Sequence, residues 1–190
     1  MQSFQIHPTA SICNFLLFVR KNITKNAMTD ERLKDRIALI VGGSSGLGKA
    51  TAFRFANSGA KIAIADLHSS GVEEQINQQH GKAAATFIQC DVTQEPDIVK
   101  MIEQVVQWAG RLDILCNFAG VLADHADGGP ARCHTLATEL FDQTLAVNCR
   151  GLWLCCKYAL TQMMQQEPRE PNARGDRTRG WIVNTASVVG

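Results

Sequence analysis

Short apolar runs at Ile37 to Val41, Lys61 to Ala65, Thr86 to Cys90, Leu112 to Cys116 and Trp181 to Thr185 alternate with longer segments whose apolar residues recur at helical spacing. Those segments are Gly46 to Ser58, Gly71 to His80, Glu95 to Ala109 and Thr138 to Met164. The runs are rich in Ile, Val and Leu and bounded by turn residues or charges, which is the pattern of strands buried on both faces. A chain that repeats strand then helix must cross over in the right-handed sense, which gives a parallel sheet with helices on both sides. The expected class is therefore α/β, a doubly wound parallel sheet. In the last helical segment Phe141, Leu145, Leu152, Cys156, Ala159 and Met163 mark one apolar face. The stretch from Gln165 to Gly180 holds Pro168, Pro171 and the arginines 169, 174, 177 and 179, and reads as a solvated surface loop.

Composition narrows the function. With 190 residues, 45% apolar content and a net charge of +1, the chain has material for one core and no electrostatic pull towards polyanions, so no nucleic-acid partner is expected. The seven cysteines are odd in number and scattered through apolar runs, as reduced thiols in a cytoplasmic compartment are. Cys133 and His134 are neighbours, but no second pair lies at ligand spacing, and no metal site is expected. Residues 1–29 contain no Asp or Glu, carry Arg20, Lys21 and Lys25, and hold one apolar run, Ile12 to Val19, too short to span a bilayer. Residues 1–30 are read as a disordered extension, or as translation from upstream of a functional Met28, with a mitochondrial leader as the competing reading. Folding is expected to begin near Leu33, so that residues 31–190 form one domain and no membrane partner is implied.

The first chemical signal lies where the first strand meets the first helix, in Val41-Gly-Gly-Ser-Ser-Gly-Leu-Gly48. Glycine at 42, 46 and 48 permits a tight turn and a close backbone approach to a pyrophosphate, while the helix start offers free N–H groups to phosphate oxygens. The structural context supports this reading, since a strand precedes, a helix follows, and Asp66 stands at the end of the next strand in Lys61-Ile-Ala-Ile-Ala-Asp66. Such an acid can accept both hydroxyls of an adenosine ribose. A 2′-phosphate about 4 Å away would be opposed by roughly 4 kcal/mol per charge pair at an effective dielectric of 20. With no Arg or Lys in the glycine loop or directly after Asp66, NAD is expected in preference to NADP.

From here the sequence resembles the classical short-chain dehydrogenase/reductase family, and the resemblance runs in order along residues 33–190. The family's Thr-Gly-x-x-x-Gly-x-Gly loop is similar to Val41 to Gly48, with Val for Thr; its adenine-side Asp-Val pair looks like Asp91-Val92. Its Asn-Asn-Ala-Gly segment resembles Asn117-Phe-Ala-Gly120, with Phe118 for the second Asn, and its catalytic Asn in a Val-Asn-x-x-Gly context matches Asn148. The serine strand, typically Ile-Val-Asn-x-Ser-Ser, matches Ile182 to Ser187, and the second serine is the catalytic one. The resemblance implies a Rossmann-type sheet of strand order 3-2-1-4-5, truncated before the final strands. It implies cofactor contacts from Gly42, Ser44, Ser45, Gly46, Leu47, Gly48, Asp66, Leu67, Asp91, Val92, Asn117, Ala119 and Gly120. Ser187 and Asn148 are the catalytic residues it implies.

In that family hydride passes between nicotinamide and the carbinol carbon of a small-molecule alcohol or ketone, while a Tyr-x-x-x-Lys pair after the serine strand handles the proton. The only tyrosine here, Tyr158, is followed four residues later by Gln162 and lies in the Asn148 segment, where it is read as packing. The chain is accordingly expected to be an amino-terminal portion, nearly inert alone, with Trp181, Ile182 and Val183 as an exposed apolar edge. Alternative readings are a non-catalytic module that binds a dinucleotide or pairs with a full-length relative through the Asn148 helix, and a methyltransferase-type nucleotide site; a homo-oligomer would form through the 138–164 helix. Asn148 in mid-helix implies specific hydrogen bonds, structural or catalytic. His125 and His134 in the 121–137 loop read as solvent-exposed, and the substrate itself is not named by these residues.

Overall fold

Every residue of β1 (Ile37–Val41) is buried, and its position in the sheet explains why. The computed structural model describes residues 31–122, 132–171, 175 and 177–186; residues 1–30, His125 and Ser187 lie outside them. Five parallel strands stand in the order β3-β2-β1-β4-β5, with β2 (Lys61–Asp66), β3 (Ala85–Gln89), β4 (Ile114–Asn117) and β5 (Trp181–Asn184). This is the doubly wound order expected from the resemblance.

Alternation along each central strand sends side chains to two separate cores. Leu39, Val41, Ala63, Ala65 and Leu115 pack with Ile98, Met101, Ile102 and Val105 of α3 (Glu95–Ala109) and with Leu154, Cys155, Ala159 and Met163 of α5 (Leu152–Gln165). Ala38, Ile40, Ile62, Ile64, Ile114 and Cys116 pack on the other side with Ala52 and Ala56 of α1 (Gly46–Asn57) and with Val72 and Ile76 of α2 (Val72–His80). Burial on both faces is what made β1, β2 and β4 read as unbroken apolar runs, whereas β3 and β5 at the two edges, expected to be buried as well, are only partly so.

The long fourth helical segment differs from a uniform helix. It comprises α4 (Thr138–Leu145), a π-helical segment (Ala146–Gly151) and α5. One extra residue in a turn rotates everything beyond it by about 100°. The single apolar stripe expected from the spacing is therefore split: Ala159 and Met163 are buried, while Phe141 and Leu145 are 51% and 45% exposed. At the sheet edge Trp181 and Val183 are exposed as expected, whereas Ile182 packs against the first core.

Two features at the amino-terminal edge of the sheet depart from the sequence reading. β4 starts at Ile114 rather than Leu112, because the Gln166 side-chain amide accepts from Leu112 N–H (3.2 Å) and donates to its carbonyl (2.6 Å). The arginine-bearing loop is anchored there as well. Fully buried Asp113 accepts from Arg169 Nη2 (2.6 Å) and Nε (3.0 Å), Arg111 Nε (2.8 Å) and the Ile37 amide (3.0 Å). Arg169 is thus a fastener between the 166–180 segment and strands β1 and β4.

Burial opposes ionisation of Asp113, but the Arg169, Ile37 and Arg111 bonds outweigh it and hold the carboxyl below its ordinary 3.8. A depressed folded-state value means that this stabilisation is complete above the ordinary value and is lost as pH falls through the lower one. Asp113→Asn is expected to cost about 3 kcal/mol near neutral pH, the low end for breaking a buried ion pair because both arginines keep some solvent. Urea denaturation should show wild-type stability dropping below about pH 4 and the variant losing that part of the pH dependence.

Candidate functional site

At the carboxyl ends of the strands, β1 is flanked by β2 on one side and β4 on the other, and the chain leaves in opposite directions. Such a reversal opens a crevice, the usual ligand position in an open α/β sheet. Here the crevice is about 180 Å³ and is lined by the ends of four strands: Val41, Gly42 and Ser45 after β1; Ala65, Asp66 and Leu67; Cys90, Asp91 and Val92; and Phe118 to Val121, with Val147 from the π segment.

Glycine is required at the crevice floor. Gly42 adopts φ +77°, and a Cβ there would lie 2.5 Å from the Ala119 nitrogen. A Cβ on Gly48 would collide with the Gly42 carbonyl, so the first turn of α1 lies directly on the loop that feeds it. Ser45 caps this helix without a side-chain hydrogen bond, and the first turn contains no acidic residue. By contrast α2, α3 and α4 each begin with at least one carboxylate. The positive end of α1 and its unpaired N–H groups are left for an external anion.

Asp66 lines the same crevice beside this helix start. Its Oδ2 accepts from the Ser44 amide (3.0 Å) and its Oδ1 from the Leu67 amide (2.8 Å). An ionised carboxylate has about four lone-pair sites, so two such bonds fix its orientation and leave acceptor capacity for a ligand. The loop after β2 is fastened to the glycine loop by Ser44 Oγ donating to the His68 carbonyl (2.8 Å) and Ser70 Oγ donating to the Ser44 carbonyl (2.5 Å). Asp91 shapes the third wall: its Oδ1 accepts from the Thr93 amide (2.9 Å) and hydroxyl (2.8 Å), a tight turn that presents Val92.

Of the residues expected from the sequence, Gly42, Ser45, Asp66, Leu67, Asp91, Val92, Ala119 and Gly120 line the crevice. Gly46, Leu47 and Gly48 form the helix start above its floor, and Ser44 orients Asp66. Asn117 differs. It is 2% exposed, and its Nδ2 donates to Asn184 Oδ1 (2.7 Å), tying β4 to β5 instead of facing the crevice. Asn148 grips the backbone of one residue on both sides, accepting from the Val121 amide (2.9 Å) and donating to the Val121 carbonyl (2.8 Å). The hydrogen bonding implied by an amide in mid-helix is therefore met by the loop after β4.

Sequence reasoning did not single out Val41, Ala65, Cys90, Phe118, Val121 or Val147 as crevice residues. Apolar side chains at strand ends carry no chemical signature, and only the sheet order brings them together. Cys90 lies in the wall, but burial first and then Asp97 and Asp91 push its thiol up to about 12. It is a packing group and not a nucleophile. Among the described residues no cluster of His, Cys, Asp or Glu is placed to hold a metal ion, and no helix is long and apolar enough to cross a membrane.

Known proteins resemble this chain in sequence and in fold. The chain is 34% identical over 161 residues to the "Uncharacterized oxidoreductase YxbG" of Bacillus subtilis (strain 168), covering 84% of this chain and 52% of that one. It is 35% identical over 144 residues to "Tropinone reductase-like 1" of Erythroxylum coca, covering 76% of this chain and 52% of that one. The chain therefore spans about half the length of the curated relatives it matches. Its fold aligns with the crystal structure of a short chain dehydrogenase from Mycobacterium smegmatis with a TM-score of 0.70 at 28% identity, over 84% of this chain and 60% of that one. The short chain dehydrogenase family model matches from residue 36, just ahead of β1, through the crevice loops to residue 190, and the chain belongs to that family of oxidoreductases.

Proposed function

We propose that this chain supplies the dinucleotide half of an NAD-dependent oxidoreductase that moves hydride between nicotinamide and the carbinol carbon of a secondary alcohol or ketone. The observation that carries the reading is the pairing of an uncapped, acid-free start of α1 with a carboxylate fixed beside it by two backbone amides. The first suits a pyrophosphate and the second the two hydroxyls of an adenosine ribose. Family members use NAD(P), and Asp66 argues for the form without a 2′-phosphate. The cofactor would supply the hydride chemistry; the chain's own residues bind and orient it. In this reading Asn148 holds the loop after β4 and Ser187 bonds the substrate oxygen. Turnover in this reading also needs the family's proton-relay tyrosine and lysine, which follow the serine strand.

The reading extends to pairing of two copies through α4 and α5. In a largely apolar groove formed by Leu145, Ala146, Cys149 and Trp153 and flanked by Asp142 and Arg150, Leu145 and Trp153 are 45% and 57% exposed, with exposed Phe141 also on α4. A dimeric binding module is the second reading, favoured by this groove. Cys90, Cys116, Cys133, Cys149, Cys155 and Cys156 are all free thiols, which fits the reducing, cytoplasmic setting of this reading.

Titration with NADH, followed by its fluorescence, should show saturable binding. Asp66→Ala should weaken it by roughly 10- to 100-fold, the worth of a charge-assisted hydrogen-bond pair, while narrowing the preference for NADH over NADPH. Absence of saturation in wild type, or unchanged affinity in the variant, would contradict the assignment. Light scattering should give a dimer mass for wild type and half that mass for Trp153→Arg; equal masses would remove the pairing surface.

A further inference from the structure

Two loops, those after β3 and β4, help to wall the crevice, and one helical segment grips both. Asn148 holds Val121, as described, and two residues later Arg150 Nη1 donates to the Thr93 carbonyl (2.9 Å), at the end of the Asp91–Val92 wall. Directly after Arg150, Gly151 lies so close to that wall that a Cβ would sit 2.9 Å from the Val92 carbonyl oxygen. The grip has an ionic centre. Glu95, in the first turn of α3, accepts from Tyr158 Oη (2.5 Å) and Lys157 Nζ (2.9 Å) on one carboxylate oxygen, and the other lies 3.6 Å from Arg150 Nη2. The Tyr158 hydroxyl first, and Lys157 after it, hold the Glu95 carboxyl below its ordinary value. Tyr158 therefore does more than pack: its ring lies against the first core while its hydroxyl bonds a carboxylate from the other helix.

None of these four side chains lines the crevice. Their common effect is on the short 91–94 turn, closed internally by the Asp91 side chain, by the Gln94 amide donating to the Asp91 carbonyl (3.0 Å) and by Gln94 Nε2 donating to Thr93 Oγ1 (3.1 Å). We infer that Glu95, Arg150 and Tyr158 are positioning residues: they fasten the Asp91–Thr93 turn to the π segment at one spacing, and so set the affinity of the crevice for the adenosine end of a dinucleotide without touching it. The inference rests on the dinucleotide reading above. It also gives the π segment a role, since its wide turn brings Asn148, Arg150 and Gly151 against both walls.

The test measures amide hydrogen exchange of Thr93 and Gln94 in the unliganded 190-residue chain, together with binding of NADH, AMP and nicotinamide mononucleotide. In Arg150→Met and Glu95→Gln, exchange at these two amides should rise about tenfold or more, and AMP and NADH should bind roughly 5- to 30-fold more weakly. The change for nicotinamide mononucleotide should be under about twofold, and Arg150→Lys should restore part of the loss. Tyr158→Phe, which keeps the ring, should show the same exchange pattern with a smaller amplitude. Unchanged exchange at Thr93 and Gln94 in both variants overturns the inference whatever the affinities do. Faster exchange with unchanged AMP binding also overturns it. Faster exchange in a protein whose wild type binds neither NADH nor AMP refutes the dinucleotide reading instead and leaves the fastening of the turn standing.

Discussion

The site depends on one close approach: the loop leaving β1 passes directly against the loop leaving β4, with no room for a side chain between Gly42 and the Ala119 nitrogen. That contact holds the start of α1 low over the sheet, and the absence of an acid or a side-chain cap in its first turn leaves its N–H groups unneutralised. A larger residue at position 42 would have to adopt a left-handed backbone conformation as well as displace the β4 loop. Both the seat for an anion and the position of Asp66, fixed through the Ser44 amide, follow from this approach.

The two ends of the sheet divide the work. At the amino-terminal edge, buried Asp113 draws Arg111, Arg169 and the Ile37 amide together and so joins β1, β4 and the segment leading to β5. At the carboxyl-terminal edge the polar groups are arranged around a crevice, and several keep acceptor or donor capacity. Charge paired inside the protein at one end stabilises the frame; a helix start left unpaired at the other is available for a ligand.

Much of this was legible in the sequence because it rests on local chemistry. Apolar runs of strand length, the glycines at 42, 46 and 48, and an acid at the end of β2 each have a meaning that neighbouring residues supply. What was not legible depends on partners distant in the chain. Arg169 looked like one of several loop arginines until the fold brought it 2.6 Å from Asp113, 56 residues away. Asn117 stands at a strand end as the motif requires, yet its amide turns to Asn184 on the adjacent strand. Tyr158 lacked a lysine at the expected spacing and read as packing; its hydroxyl meets Glu95, 63 residues earlier. The π segment left no mark in the apolar periodicity beyond a stripe whose first half proves exposed, because a single extra residue in a turn changes phase and not composition.

Backbone amide chemical shifts followed during titration with NAD test the central claim most directly, since the proposed contacts are made largely by main-chain N–H groups at the start of α1. Saturable shifts concentrated at Gly46, Leu47 and Gly48 and at the Ser44 and Leu67 amides that orient Asp66 are the predicted result. Shifts that do not saturate, or that cluster away from these five amides, would contradict the account.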